Sequence, residues 1–252
     1  MTRNIVITGM SGLIGGAARK RLQPRARLTA LNRSDVPGVA TVRADLSDLD
    51  AIRPAFEGRD TVIHLAAKSG DRYSWEEFRD TNLVGTRNVL EAARLAGCKR
   101  VVYASSGATV AGWEREEPYR ALVEGRYDDV PEDWVRIRHD MATRPNGPYA
   151  STKVWGESIG RHYADAFGLS VIALRIGFVN AVDRPTDARK FSVWCSQRDI
   201  LNAIELAVDA DDSIRYDIFF VNSDNKWSYR DLSHARDVLG FSPQDAAEAH
   251  RE

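Results

Sequence analysis

The chain has 252 residues, 43% hydrophobic and 28% charged, a balance typical of a globular protein with a full core and not of a disordered chain. Its 35 Lys and Arg residues against 36 Asp and Glu give a net charge of -1, so no overall field draws it to nucleic acid or to an anionic membrane. Its two cysteines, Cys98 and Cys195, lack metal-ligand spacing and predict neither a metal site nor a disulfide; with no signal peptide and no membrane-spanning run, we expect a cytoplasmic protein.

The first half of the chain alternates short β-rich runs with helical patterns, which predicts βαβ units. We expect strands at residues 5–7, 28–31, 41–43, 61–65, 101–103, 171–175 and 218–221, and an amphipathic helix over 82–96 that stops at Gly97. The fold class is therefore α/β: a single domain over 1–252 with a Rossmann-type, doubly wound parallel sheet and a short substrate-binding portion from about residue 178 to 252. The stretch 113–147 has no sustained period and predicts a long active-site loop or lid, with a plain surface loop as the alternative.

A glycine-rich turn follows the first strand and opens a helix. It reads Gly-x-x-Gly-x-x-Gly, the pattern of a dinucleotide-binding turn in this context, because glycines let the backbone approach a pyrophosphate that the helix N-terminus then attracts. We expect cofactor contacts from this turn at Gly9, Ser11, Gly12, Leu13, Ile14 and Gly15.

The end of the second strand predicts which nicotinamide cofactor is bound. An acidic residue here selects the free ribose 2′-hydroxyl of NAD, but this chain has Asn32, Arg33 and Ser34, and Asp35 comes one position too late. A guanidinium and a hydroxyl can bind a 2′-phosphate. NADP is therefore favoured, and an NAD site beside a surface arginine is the alternative.

Tyr149 and Lys153 form a Tyr-x-x-x-Lys pair that begins just after Pro148, so both side chains share one face of a helix. A tyrosine can exchange a proton during catalysis if a nearby ammonium, the helix N-terminus and an oxidised nicotinamide lower its pKa. A third group is expected at the end of the fifth strand, where Ser105 or Ser106 faces the cleft, but not both.

With these motifs the sequence resembles the extended short-chain dehydrogenases, a family of sugar epimerases, dehydratases and dehydrogenases. Further matches are Ala44-Asp45-Leu46, His64-Leu65-Ala66-Ala67, Asn82 at a helix start and Leu174-Arg175-Ile176-Gly177. The resemblance implies that Lys153 binds the nicotinamide ribose and that Ser106 is the catalytic serine. It extends the expected cofactor site to Asp45, Leu46, Leu65, Ala66, Ala67, Lys68, Asn82 and Ile176.

Within that family the chain is most similar to uronate dehydrogenases and archaeal-type glucose-6-phosphate dehydrogenases, through residues 189–194, 196–199 and 239–245. This likeness implies that Arg189 binds the anionic group of the substrate and that Ser69 contacts its hydroxyls. Gly107 and Ala108 stand where those relatives have Asn-His, and Phe178 stands where they have serine. We expect substrate contacts at Ser69, Ser106, Gly107, Tyr149 and Arg189, in a pocket that has lost polar groups and so also admits a less polar substrate.

The resulting hypothesis is an NADP-linked oxidoreductase, with NAD as the second choice, that interconverts an alcohol and a carbonyl on a small hydroxylated anion such as a sugar acid or sugar phosphate. Two alternatives remain: a nucleotide-sugar epimerase or dehydratase, which usually needs a larger C-terminal lobe, and a non-catalytic cofactor-sensing regulator. The family resemblance also implies a homodimer formed through a helix bundle, although the sequence leaves the oligomeric state open.

Overall fold

A computed structural model describes residues 2–70 and 72–251 of the chain. One parallel sheet is formed by seven strands: β1 (Arg3–Thr8), β2 (Ala26–Asn32), β3 (Ala40–Arg43), β4 (Thr61–His64), β5 (Arg100–Ser106), β6 (Ser170–Ile176) and β7 (Tyr216–Val221). Every predicted strand is present, most of them longer than expected because the sheet pairs residues beyond the apolar runs. The predicted Rossmann-type fold is confirmed.

The strand order β3-β2-β1-β4-β5-β6-β7 reverses direction between β1 and β4. Thr8 at the end of β1 pairs with Leu31 of β2 on one side and with His64 of β4 on the other. Ligands of open α/β sheets bind in the crevice at this kind of reversal, beyond the carboxyl ends of the strands. The topology therefore places the glycine turn, the β2 end and the β5 end around one crevice.

Nine α-helical segments lie within the described residues: α1 (Leu13–Leu22), α2 (Leu49–Ile52), α3 (Trp75–Glu77), α4 (Gly85–Leu95), α5 (Tyr119–Glu124), α6 (Pro148–Phe167), α7 (Lys190–Val193), α8 (Gln197–Asp209) and α9 (Ser233–Leu239). Apolar side chains of α1 and α8 pack on one face of the sheet, and those of α4 and α6 pack on the other. Over the described residues, no helix is long and apolar enough to cross a bilayer.

The helix predicted over residues 82–96 begins earlier than expected. Ser74 caps α3 in a reciprocal arrangement with Glu77, a strong helix-start device, and a π-helical stretch, Phe78–Val84, then joins α3 to α4. The wider π turn shifts the helical phase, so the apolar period could be recognised only from Leu83 onward. The end at Gly97 is as predicted, with a φ of 73° that favours glycine.

The segment 113–147 contains more regular structure than its sequence indicated. It holds the end of a 3₁₀ helix (Gly107–Arg115), α5 and a second 3₁₀ turn (Tyr127–Asp129). Tyr119 and Leu122 pack with Tyr229 and Leu232 in a third apolar cluster, and the Ile137 backbone N–H donates to the Tyr229 carbonyl at 2.7 Å. Much of the segment is thus fixed to the C-terminal portion; its role as an active-site lid stays a prediction.

Helix α6 lies unusually close to β5. A Cβ on Gly156 would come within 2.1 Å of the Tyr103 hydroxyl, and one on Gly160 would come within 2.9 Å of Val171. Glycine at these two positions lets the helix settle against the sheet. Tyr149 and Lys153, on the same helix, are thereby held at the carboxyl end of β5.

Substituting Gly156 tests this close approach. We expect Gly156→Ala to reduce the free energy of unfolding by about 1 to 3 kcal/mol, because the buried Tyr103 ring must move. Gly16→Ala is the matched control, since the added methyl would meet nothing closer than 3.8 Å and alanine is favoured in a helix by about 0.5 to 1 kcal/mol. Urea denaturation measures both; equal stabilities would show that α6 can move away from β5 without cost.

Candidate active site

Two adjoining cavities lie at the carboxyl edge of the sheet, of about 700 Å³ and 570 Å³. Gly9, Gly12, Leu65 and Ala67 line both of them. The smaller cavity extends to the end of β2, and the larger extends past β5 to α7. Together they form an elongated site that runs across the strand-order reversal.

The glycine turn is built for close approach. Gly9 has a φ of 69°, and a Cβ there would lie 2.9 Å from the Ala66 backbone, while a Cβ on Gly15 would lie 2.4 Å from the Gly9 carbonyl oxygen. Neither position admits a side chain without movement. The turn therefore fits the backbone cradle that a pyrophosphate needs at the start of α1.

Asn32 supports this turn from the end of β2. Its Oδ1 accepts a hydrogen bond from the Met10 backbone N–H at 2.8 Å, and its Nδ2 donates to the Ser11 hydroxyl at 2.7 Å. The side chain is 7% exposed. Asn32 lines the smaller cavity, and its side-chain hydrogen bonds hold the glycine turn in place; a contact with the cofactor stays a prediction.

The end of the smaller cavity carries the groups expected around an adenosine ribose. Arg33 and Ser34 line it with exposed side chains, and Lys68 forms an ion pair with Glu77 at 2.9 Å. The pKa of Asp45 is lowered because its carboxylate accepts hydrogen bonds from Ser47. Asp35 lies outside the cavity lining. A guanidinium and a hydroxyl thus line this end of the smaller cavity.

Lys153 is a buried lysine in the lining of the larger cavity. Its ammonium donates to the Ala104 carbonyl oxygen at 2.7 Å, and the residue is only 4% exposed. Burial lowers the pKa of Lys153 to about 7, with the charge of Glu157 acting in the opposite direction. The lysine is therefore poised between its charged and neutral forms near neutral pH.

Tyr149 faces the same cavity, with the Lys153 nitrogen 5.8 Å from its ring centre. The sequence predicted a lowered pKa for this tyrosine. Burial instead raises its pKa, and only a hydrogen bond with Ser106 acts in the lowering direction. The expected lowering by the ammonium is thus not produced by the protein alone, because Lys153 is itself desolvated and directs its proton to Ala104.

The two serines at the end of β5 have different partners. The Ser105 hydroxyl donates to Glu157 at 2.6 Å and is buried, whereas Ser106 hydrogen-bonds with Tyr149 and accepts from the Ala108 backbone N–H at 3.1 Å. Both serines line the larger cavity, although the sequence predicted that only one would face it. Ser106 is the one that acts on Tyr149, and its role as the catalytic serine stays a prediction.

Glu157 lies one helical turn beyond Lys153 on α6, behind the predicted catalytic residues. It forms a two-pronged ion pair with Arg175 at 2.9 and 2.8 Å, and both residues are buried. Arg175 also donates to the His139 carbonyl oxygen at 3.1 Å. The pair links α6, β6 and the segment before α6, and so fixes the helix that carries Tyr149 and Lys153.

Arg189 lines the larger cavity but is already paired. Its Nε and Nη2 donate to the two carboxylate oxygens of Glu114 at 2.7 and 2.8 Å, and Glu114 also accepts from the Tyr229 hydroxyl at 2.5 Å. The two-pronged face that would grip a substrate carboxylate is thus used by the protein itself. Its role as the substrate clamp stays a prediction that this pairing does not favour.

Most of the other predicted residues line one of the two cavities. These are Ser11, Leu13, Ile14, Leu46, Leu65, Ala66, Ala67, Ser69 and Ile176. Asn82 does not: its amide holds both backbone groups of Lys68, at 2.8 and 3.0 Å, and bonds Thr152. Gly107 does not either, because the guanidinium of Arg230 lies where its side chain would be.

Arg230 and Asn146 also line the larger cavity and were not anticipated from the sequence. Arg230 is 3% exposed and follows β7 in a stretch without a motif. The one available signal was Gly107 itself, because a glycine in place of a polar residue leaves room for a side chain from elsewhere in the chain.

One group of potential metal ligands occurs among the described residues, away from the cavities: His139, Asp217 and His234. The two imidazole rings stack 3.6 Å apart and nearly parallel, so their in-plane lone pairs do not converge on one point. His234 instead hydrogen-bonds the Asp217 carboxylate at 2.9 and 3.0 Å. The arrangement is that of a hydrogen-bonded stack.

A sheet reversal with a tight glycine turn, joined to a partly buried tyrosine and a buried lysine, is typical of dinucleotide-dependent Rossmann enzymes with short-chain dehydrogenase chemistry. The chain belongs to the NAD dependent epimerase/dehydratase family, whose model matches residues 5–239. The predicted family and the prediction of an enzyme are therefore confirmed.

Individual relatives cover almost the whole chain. It is 30% identical to an L-arabinose 1-dehydrogenase (NAD(P)(+)) of Haloferax volcanii, over 96% of each chain. It is 32% identical to a uronate dehydrogenase of Agrobacterium fabrum, over 99% of this chain and 87% of the relative, and 29% identical to an NAD-dependent glucose-6-phosphate dehydrogenase of Haloferax volcanii, over 97% and 94%. The predicted likeness to these last two groups is confirmed.

A solved structure of a uronate dehydrogenase also matches this chain. A mutant of uronate dehydrogenase from Agrobacterium tumefaciens, complexed with NAD, matches with a TM-score of 0.84 and 30% identity, over 98% of this chain and 86% of that one. The backbone of this chain thus follows that of an NAD-complexed relative.

The lowered pKa of Lys153 predicts a pH dependence of stability. Between about pH 7 and the ordinary lysine value of 10.5, the unfolded chain holds this proton and the folded chain does not, so raising the pH favours the folded state. The quantity to measure is the unfolding free energy of the parent minus that of Lys153→Met. We expect this difference to rise between about pH 7 and pH 9.5, by at most ~1.4 kcal/mol for each pH unit. Lys20→Met, at an exposed position, is the control for the loss of one lysine charge. A difference for Lys153→Met that does not change with pH, or changes no more than that of the control, would contradict the lowered pKa of Lys153.

Proposed function

We propose that this protein is an NADP-linked oxidoreductase that interconverts an alcohol and a carbonyl on a small hydroxylated anion. The observation that carries the proposal is the cluster of Tyr149, Lys153 and Ser106 at the wall of a cavity continuous with the glycine turn. Relatives named as dehydrogenases of a uronate, of L-arabinose and of glucose 6-phosphate support the substrate class.

The cofactor site fits a dinucleotide, since Gly9 and Gly15 have no space for a Cβ against the neighbouring backbone and so keep the turn compact at the start of α1. The backbone N–H groups at the start of α1 would hold the pyrophosphate, and Lys153 would hold the nicotinamide ribose. When bound, the nicotinamide supplies the acceptor or donor of a hydride.

The remaining chemistry belongs to the protein. Tyr149 exchanges the proton of the substrate hydroxyl, and its raised pKa keeps it a phenol, the form that donates a proton to a carbonyl being reduced. Ser106 donates a hydrogen bond to the reacting oxygen and steadies the charge that develops there. In the oxidative direction a positive charge nearby would favour the phenolate.

NADP is the preferred cofactor in this proposal because Arg33 and Ser34 line the smaller cavity just beyond the end of β2, the place where an NAD-selective site carries a carboxylate. NAD remains the alternative. One relative is named for both cofactors, and the solved relative is complexed with NAD.

Localisation and assembly complete the proposal. Cys98 and Cys195 are both free and buried, as suits a reducing compartment such as the cytoplasm. Leu95 of α4 and Phe167 of α6 are apolar and about half exposed, which supports pairing of two copies through these helices.

Tyr149→Phe tests the acid–base assignment. We expect it to lower kcat by about a hundredfold or more, since positioned proton transfer contributes ~10² to 10⁴, with the dissociation constant for NADPH within about threefold of the parent. Turnover of a panel of sugar acids, sugar phosphates and neutral sugars with each cofactor provides the measurement. Near-parental turnover would refute the role of Tyr149, and cofactor binding without turnover of any carbonyl or alcohol would favour the regulator.

Arg33→Ala tests the cofactor preference. Loss of a charge-assisted bond to the 2′-phosphate should weaken NADPH binding by about tenfold or more and change NADH binding by less than about twofold. Arg43→Ala is the matched control, because it removes the same charge from an exposed arginine on the neighbouring strand that does not line the cavity. If NADH binds the parent more tightly, or if both variants change the two affinities alike, the NADP assignment is wrong.

A further inference from the structure

Arg230 is a buried guanidinium in the wall of the substrate end of the cavity. Its Nη1 donates to the Asn222 side-chain oxygen and its Nη2 to the Tyr229 hydroxyl, both at 3.2 Å, while its buried Nε has no hydrogen-bond partner. Across residues 2–70 and 72–251, no carboxylate lies within ion-pair distance of it, although Arg189 and Arg175 each have one. A buried charge held only by neutral groups is costly unless a further partner completes it.

The position of the guanidinium is fixed from two sides. The backbone around it is tied to Ile137, which donates to the Tyr229 carbonyl at 2.7 Å and accepts from the Asp231 N–H at 3.0 Å. The guanidinium itself lies against Gly107, where an added Cβ would be 2.2 Å from its carbon. Gly107 follows Ser106 directly, so the charge sits beside the residue expected to hold the reacting oxygen.

The charges at this wall leave one positive charge uncompensated. Arg189 and Glu114 cancel in a two-pronged ion pair at 2.7 and 2.8 Å, and the Tyr229 hydroxyl joins Glu114 to the Arg230 side chain. Arg230 has no such carboxylate partner among the described residues. A carboxylate of charge −1 balances its charge and matches its planar fork.

We propose that Arg230, rather than Arg189, binds the anionic group of the substrate, and that this group is a carboxylate close to the reacting carbon. The inference rests on the proposed function and specifies its substrate: a small hydroxy acid of the uronate kind. Gly107 leaves space for the Arg230 guanidinium beside Ser106. Glu114 forms the two-pronged ion pair with Arg189 and so leaves Arg230 as the arginine that is free to bind the substrate.

The test compares the binding of glucuronate with that of neutral glucose, in the presence of NADPH. Measuring the affinities by calorimetry in the Tyr149→Phe background keeps the result independent of turnover. Arg230→Gln should weaken glucuronate binding by about tenfold or more, the usual effect of losing a charge-assisted bond, and glucose binding by less than about threefold. Arg230→Lys should give an intermediate loss, because an ammonium keeps the charge but not the planar fork.

Two further variants guard against a folding defect in Arg230→Gln. Gly107→Ala keeps the charge but displaces the guanidinium, so it should also reduce the preference for glucuronate over glucose. The double variant Glu114→Gln with Arg189→Met removes the neighbouring ion pair without a change in net charge, and should keep the preference. Thermal unfolding of each variant shows whether it is folded.

Three results would overturn the proposal: Arg230→Gln weakening both sugars equally, the double variant losing the preference while Arg230→Gln keeps it, or glucose 6-phosphate binding the parent more tightly than glucuronate. A failure of the proposed function is distinguishable from these. It would show as full turnover by Tyr149→Phe, which leaves the binding comparison unaffected.

Discussion

The burial of the Lys153 ammonium is the constraint on which the rest of the site depends. The lysine lines the larger cavity while only 4% exposed, and its ammonium donates to the Ala104 carbonyl oxygen at 2.7 Å. A buried cation needs nearby negative charge, which Glu157 supplies one helical turn away. Glu157 in turn is held by Arg175, so the position of α6 is set by electrostatics as well as by the close contact at Gly156.

The sheet could be predicted from the sequence because its signals are local. The spacing of apolar residues, the glycine turn and the strand ends can each be recognised within a short stretch of sequence. The predicted strands accordingly differ from the observed ones only at their ends. The π-helical stretch before α4 and the packing of residues 107–137 could not be predicted, since Tyr119 meets its partner Tyr229 more than a hundred residues away. No window of sequence contains both sides of that contact.

The sequence predicted the positions of the site residues better than their charge states and ion pairs. The glycine turn, Tyr149, Lys153 and Arg33 all lie at the cavity walls where the motifs place them. The direction of the Tyr149 pKa and the pairing of Arg189 were not predictable, because both depend on burial and on partners from distant segments. Spacing shows which residues can meet; it does not show which charges are already neutralised when they meet.

The glycine at position 107, where the family resemblance led us to expect a polar residue, has a physical explanation in this structure. Loss of a side chain at Gly107 opens space beside Ser106, and the Arg230 guanidinium fills that space at the cost of a buried charge without a carboxylate. Such a charge lowers the stability of the free protein and raises the affinity for an anion that completes it. It also discriminates strongly, because a neutral analogue leaves the buried guanidinium unpaired, whereas an apolar pocket distinguishes ligands only weakly. A pocket with glycine at position 107 can therefore still be selective for a carboxylate.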